Sequence, residues 1–576
     1  MGMRSGWQVI ASVVIVSVLA ACGGGGGDGA PENPDIALVT GSLSAASGGT
    51  ITAPGNEVVL TIPAGALDKD TMVSVVRLAT APTLAAPMLA NGNAYSVTFS
   101  NGAVLTKAMQ IAIKATAMPQ HPSLGEIAVV TASAATRLPA NFYRRADNVV
   151  IGRTTDTGTF MPIARRLQVE TGASVARGRD IFLGETFGNE SFFGGVLGLH
   201  TLLNDLTPAQ AVGVGVQVDL AKVPAGIVAV LTGADLGAKD AALQNPAVTR
   251  ALIKAGAVVG VKGVYADASS DRMTAAGITC ALCHVNVTPT QFELTGGKAA
   301  LPIGNLALDG IPNSKMDAGA ILSLTPFVAA LPATAKVLQG WGPGRFDIRA
   351  LPDNPLDDGV DNPTRFPPLW NFVDLEAQVF PYDWDGLFKS TATPNNSLAS
   401  QAEAVYDLVM HANGAFGTAS GTLAPLLAGT PPADLIAALG AAESAAPGNV
   451  IPLQALLDVQ SFERSIASPA PGAYDEALAQ QGFDLFNDKA RCSGCHRTAE
   501  FTGPVVSTKI TITPPTGALA GGIKTPGLRG IASHAPYFHD GSAATLRAVV
   551  DTYSGRVVPE LTASEKDALV EYLKSL

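Results

Sequence analysis

Alternation of apolar and polar positions marks the first third of the chain. Val58-Val59-Leu60-Thr61-Ile62 runs into the turn-prone Pro63-Ala64-Gly65, and Tyr95, Val97 and Phe99 alternate with Ser96 and Thr98. Ile111 and Ile113 repeat the period, while Asn91-Gly92 and Asn101-Gly102 supply turn signals between such runs. A period of two with one apolar face predicts strands laid against a core, so residues 35–168 read as an all-β sandwich. From residue 169 onward the pattern is helix and loop. Ala477 to Phe486 reads as a helix, and Gly340 to Asn371, rich in Pro, Gly and Asp, reads as loop. The last helix opens with Thr562 and Glu565 at capping-box spacing and sets Leu569, Val570 and Leu573 on one face.

Length and composition set bounds on this picture. A chain of 576 residues should hold two to four domains, and 47% hydrophobic content is ample for packed cores. The formal net charge of −11, with no basic cluster, argues against nucleic-acid binding. An acidic surface suits a basic electron-transfer partner, although most acidic proteins are simply soluble. At the N-terminus Arg4 precedes the apolar run Val9 to Leu19, too short to span a bilayer comfortably. It ends in Leu19-Ala20-Ala21-Cys22, which resembles a bacterial lipobox. Residues 1–22 therefore read as a lipoprotein signal peptide, with Cys22 as the acylated mature N-terminus and residues 23–34 as a Gly-rich tether. The alternative is ordinary secretion with Cys22 idle. Gly23, where an Asp would retain a lipoprotein in the inner membrane, points to a periplasmic protein anchored in the outer membrane.

Chemistry enters through Cys280-Ala-Leu-Cys283-His284 and Cys492-Ser-Gly-Cys495-His496. Each is C-x-x-C-H, in which two thiols form thioethers with a haem and the adjacent His is placed to ligate its iron. The alternatives are a zinc site or a redox dithiol. Zinc would need cysteine pairs without this repeated His, and a redox dithiol would need a βαβ context. Four of the five cysteines lie in these motifs.

Further segments carry family resemblances. Gly48-Gly49-Thr50-Ile51 with Leu60 to Leu67 resembles ZU5-like β-sandwich domains, implying a spacer or docking role. Gly178-Arg179-Asp180-Ile181-Phe182 resembles the opening helix of many haem c domains. Lys524 to Gly530 resembles a TPxLRN segment, Ala535 to Ser542 an APYFHDGS segment, Pro368 to Asn371 a PTLWN segment, Tyr382 to Gly386 an FWDG segment, and Leu398 to Ala402 an LEEQA segment. In that order, around two C-x-x-C-H motifs, they make residues 169–576 resemble the bacterial di-haem cytochrome c peroxidase and MauG superfamily. The resemblance implies a multidomain fold, in which the all-β sandwich is followed by two mainly α-helical cytochrome c-type haem domains. These are residues 169–475, with long insertions, and 476–576. It further implies two covalently bound haem c groups and an oxidoreductase that reduces peroxide or uses it to oxidise a partner. A small electron-donor cytochrome or cupredoxin would serve it. The competing readings are a non-enzymatic electron carrier and a haem oxygenase of an organic polymer.

Residue by residue, the resemblance makes His284 and His496 the ligands of the first and second haem irons. Trp384 matches a tryptophan that passes electrons between haems, unless it is a packed indole. Tyr553 falls where classical members have a ligating Met and MauG-like members a Tyr. A phenolate there would favour higher oxidation states; the alternative is packing in the helix. Ten residues after Gln401, where the family has a catalytic Glu, stands His411. It could shuttle a proton, bind iron, or be structural. No His lies between His284 and His411, so the family's distal clamp on the first haem is missing. His200 is a further ligand candidate, His539 matches a supporting position near the haem edge, and His121 reads as a loop residue. One calcium ion, held by Asn371 and the Pro536 carbonyl, is the last element the resemblance offers.

Overall fold

The computed structural model describes residues 34–131, 134–139, 141–167, 169–347, 363–376, 453–498, 500–503, 505–506 and 522–576. The stretch read as a signal peptide, Cys22 and nearly all of the stretch read as a tether lie outside them. The chain divides into two compact units, Met1–Arg166 and Leu167–Leu576.

The first unit is built from β1 (Ile36–Leu43), β2 (Gly49–Thr52), β3 (Val58–Ile62), β4 (Thr71–Arg77), β5 (Met88–Ala90), β6 (Tyr95–Phe99), β7 (Met109–Lys114), β8 (Gly125–Val130), β9 (Ala135–Arg137), β10 (Asn141–Arg144), β11 (Val149–Thr154) and β12 (Gly158–Arg165). One sheet has the order β1-β4-β6-β12-β8-β9, with β5 also on β12; the other runs β10-β11-β7-β3-β2. Alternation in the sequence becomes alternation in burial. Val58, Leu60 and Ile62 of β3 are buried, and meet Val73, Val75, Tyr95, Val97, Ile111 and Ile113 in a core drawn from both sheets. Each such side chain contributes about 1.5–3 kcal/mol when removed from water. His121 precedes a short 3-10 turn, Pro122–Leu124, at a loop position.

In the second unit, helix Ala173–Gly184 packs on helix Leu453–Arg464. The rings of Phe182 and Phe462 lie 5.0 Å apart, and Arg177 pairs with Asp458 at 2.7 Å. Nearer the C-terminus, helix Glu476–Asn487 packs on helix Ala563–Lys574. A Cβ on Gly482 would overlap the Ala568 carbonyl, so glycine lets the two backbones approach. Phe483 and Phe486 close over Tyr572 at 5.7 and 5.2 Å. The stretch read as loop from Gly340 carries more order than its composition suggests. Arg345–Asp347 and Pro363–Arg365 pair as antiparallel strands, and a helix follows at Phe372–Glu376. Among the described residues no helix is long and apolar enough to cross a membrane.

Candidate functional site

The first motif sits at the end of a hairpin, Val261–Tyr265 with Met273–Ile278. Cys280 caps the one-turn helix Ala281–His284 without a side-chain bond. So short a helix is not self-supporting; tertiary contacts hold it. The Asn313 amide donates to the Cys283 carbonyl at 2.8 Å, and Asn313 Nδ2 donates to the Gly215 carbonyl at 2.9 Å. Gly260, at φ +74°, lies where a Cβ would overlap the Leu282 backbone, so this close approach needs glycine. Cys280 and Ala281 are buried in a core with Val285, Leu369, Trp370 and Phe462. The His284 ring lies 6.0 Å from Phe366. Glu463 is buried nearby, and burial pushes its carboxyl up to about 8.

The second motif has a different backbone. Arg491, in the left-handed region at φ 51°, leads into the 3-10 turn Cys492–Gly494. The His496 amide donates to the Cys492 carbonyl at 3.0 Å. His496 Nδ1 lies 2.7 Å from the Phe501 carbonyl, which can only accept, so Nδ1 carries the proton and Nε2 keeps its lone pair. Desolvation pushes this imidazole down to about 4, so it is neutral and competent to ligate a metal. Cys492, Cys495 and His496 line a cavity of about 520 Å³, within the ~300–1,000 Å³ range of cofactor sites. Its wall is mostly apolar, with Leu528, Ile531, Leu546 and Val550 among the lining residues.

Tyr553, the last residue of helix Leu546–Tyr553, lines the same cavity and packs its ring 5.8 Å from Phe538. Burial foremost, then the two nearby thiols, push its phenol up to about 12. A cation bound in the cavity would have to draw off that proton for Tyr553 to ligate. His539 also lines the cavity, and its carbonyl accepts the Arg365 amide at 2.8 Å.

The donor set fits thioether attachment better than the two alternatives. Burial pushes the Cys280, Cys283 and Cys492 thiols up to about 12, whereas a reactive dithiol carries a lowered thiol. Among the described residues no group of three or more His, Cys, Asp or Glu side chains is arranged to hold a metal ion, as zinc would require. A haem needs from each motif only two thiols and one imidazole nitrogen.

The remaining candidates are scattered. His200 stands on helix Leu199–Asp205, with Nε2 3.4 Å from the Thr201 hydroxyl. Asn371 is buried, and its Oδ1 accepts the Ser468 amide at 3.1 Å. Pro536 follows a cis peptide bond. Trp384, Gln401 and His411 lie outside the described residues.

Sequence reasoning missed Arg365 and Phe366. These neighbours reach both motifs: Phe366 faces His284, and Arg365 lines the second cavity. Arg365 Nη1 lies 2.9 Å from His534 Nδ1, and Nη2 donates to the His534 carbonyl at 2.7 Å. The only local signal was a cation at the head of the apolar run Phe366-Pro367-Pro368-Leu369-Trp370.

The chain matches characterised proteins over part of its length. It is 33% identical over 122 residues to the "Methylamine utilization protein MauG" of Methylorubrum extorquens, covering 17% of this chain and 35% of that protein. It is 26% identical over 148 residues to the protein of that name from Methylophilus methylotrophus, covering 21% and 42%. The chain thus spans well under half the length of these relatives. A solved structure described as a MauG-like protein associated with microbial copper homeostasis matches at 25% identity, over 22% of this chain and 58% of that one, with a TM-score of 0.18. No family model matches the chain. Part of the chain is therefore related to the MauG/cytochrome c peroxidase-like superfamily.

Proposed function

We propose that this protein is a di-haem c-type oxidoreductase of the cytochrome c peroxidase/MauG kind, with one haem on each Cys-x-x-Cys-His motif. The observation that carries the reading is the arrangement at residues 492–496: two thiols and a neutral imidazole with a fixed tautomer on the wall of one cofactor-sized cavity. Bound there, a haem supplies one-electron and peroxide chemistry that side chains lack. His496 presents Nε2 while the Phe501 carbonyl holds Nδ1–H, which orients the ring and raises the basicity of the ligating nitrogen. Tyr553, which lines the same cavity, is the candidate for a second ligand to that haem. Residues 365–371 link the two motifs: Phe366 lies against His284, while Trp370 shares a core with Cys280 and sets its ring 5.4 Å from His534. For the first motif, His411 is the proposed acid–base residue, Gln401 a further proposed catalytic residue and Trp384 the proposed electron path. A lipid anchor at Cys22 in the periplasm, and a small cytochrome or cupredoxin as donor, complete the proposal.

Low-temperature EPR of the ferric full-length protein, before and after one equivalent of hydrogen peroxide, tests this reading. The expected result is a high-spin signal beside a low-spin one, with the high-spin signal consumed by peroxide. Two low-spin signals that ignore peroxide, in both the oxidised and half-reduced protein, would make the chain an electron carrier. Absence of covalently bound haem would overturn both.

A further inference from the structure

The wall of the second cavity holds charge that its apolar lining does not explain. Arg365 and Lys524 are each 4% exposed and His534 is 8% exposed, and all three line the cavity with Cys492, Cys495 and His496. Burying a cation is costly unless opposite charge or well-placed dipoles meet it. The Arg365 fork is gripped rather than loose. Nη1 donates to His534 Nδ1 at 2.9 Å and Nη2 to the His534 carbonyl at 2.7 Å. Guanidinium nitrogens only donate, so His534 Nδ1 is an acceptor and the neutral ring carries its proton on Nε2.

The surroundings fix that ring. Trp370 lies 5.4 Å away, edge to face, and donates its own Nε1–H to the Arg529 carbonyl at 3.1 Å. Tyr537 lies 5.9 Å away. Burial first, and the Arg365 charge second, push His534 down to about 3, while burial pushes Arg365 down to about 10. At neutral pH the positive charge therefore stays on the arginine. Lys524 is held as well, with Nζ donating to Thr502 Oγ1 at 2.8 Å.

We infer that Arg365, together with Lys524 on the same wall, receives carboxylate at the second cavity, and that His534 is the positioning residue that aims the Arg365 fork. The inference rests on the haem reading and assigns the carboxylates to the attached tetrapyrrole; a free organic acid offers the same chemistry. A planar guanidinium fork on a cavity wall is suited to such an acceptor.

The test uses the full-length, haem-loaded chain, with pyridine haemochrome counting the haems and spectroelectrochemistry reading the midpoint potential of the C-terminal haem. Arg365→Gln should lower that potential, because a cation that favours the reduced state is lost, with two haems still attached. Arg365→Lys keeps the charge and should stay nearer the wild type. His534→Leu should follow Arg365→Gln, whereas His534→Gln, which retains an acceptor, should restore the wild-type value. An unchanged potential in Arg365→Gln with both haems present would overturn the inference while leaving the haem reading intact. A wild-type chain without covalent haem would overturn both. Saturable spectral shifts on adding acetate to the wild type, absent in Arg365→Gln, would overturn the tetrapyrrole assignment and give the corner to a free acid.

Discussion

The first Cys-x-x-Cys-His turn is a single helical turn stitched into an apolar core, with Asn313 on its carbonyl and Gly260 against its backbone. The second is a 3-10 turn entered through left-handed Arg491, and it opens on a cavity of about 520 Å³ shared with Tyr553. Identical spacing gives both the same proposed attachment chemistry. What differs is what each turn faces, and that is set by chain far away in sequence. The two sites should accordingly fail by different routes.

The largest effect should come from the thiols. Replacing Cys492 and Cys495 together by Ser should halve the covalent haem measured by pyridine haemochrome and leave the spectrum of the other haem in place. The Cys280 and Cys283 pair should do the converse. Loss of both haems from either double variant would break the comparison, because the two settings would then form one cooperative unit.

Backbone contacts should separate the sites next. Gly260→Ala forces a Cβ into the Leu282 backbone at a positive φ, and Gly482→Ala forces one into the Ala568 carbonyl. Each should cost about 1–3 kcal/mol by chemical denaturation, the usual range for overpacking. Gly260→Ala should perturb the spectrum of the first haem and Gly482→Ala that of the second. Equal effects on both spectra would argue against separate supports.

A pH dependence should belong to the second site. His534 is held near 3, below its unfolded value of about 6.5, so the unfolded chain binds the extra proton. Its contribution is full above about 6.5 and is lost as pH falls from there toward 3. Urea midpoints should therefore drop over that window, and His534→Gln should drop less. An identical slope in that variant would show that other groups govern acid sensitivity.

Legibility in the sequence followed the range of the forces involved. The burial of Val58, Leu60 and Ile62 and the turn at Asn101-Gly102 depend on neighbours along the chain, and both could be read from it. The final helix was legible in its cap but less so in its face. Its buried residues are Ala568, Leu569 and Tyr572, because Phe483, Phe486 and the groove at Gly482 choose the packed side. Leu569 is buried and Leu573 shares its cavity wall, while Val570 is only partly buried. Both Cys-x-x-Cys-His motifs were visible because attachment needs local spacing. The bonds from Arg365 to His534 span 169 residues, and no local pattern could announce them.

The smallest effect sharpens the comparison from the side of the helices. The cap of Ala563–Lys574 is complete: Thr562 Oγ1 accepts the Glu565 amide at 3.3 Å, and Glu565 Oε2 accepts the Thr562 amide at 2.7 Å. Thr562→Ala removes the first bond and should cost about 1 kcal/mol. The cost should be read at the second site, because this helix lends Leu569 and Leu573 to its cavity wall. The first motif has no such cap to lose, since Cys280 offers its turn no side-chain bond. Its counterpart is Asn313→Ala, which strands the buried end of a tertiary bond and should cost about 1–3 kcal/mol. If Thr562→Ala broadened the first haem's spectrum as much as the second's, the separation of local and tertiary support would fail. A change confined to the second would mean that one turn depends on its own helices and the other on distant chain.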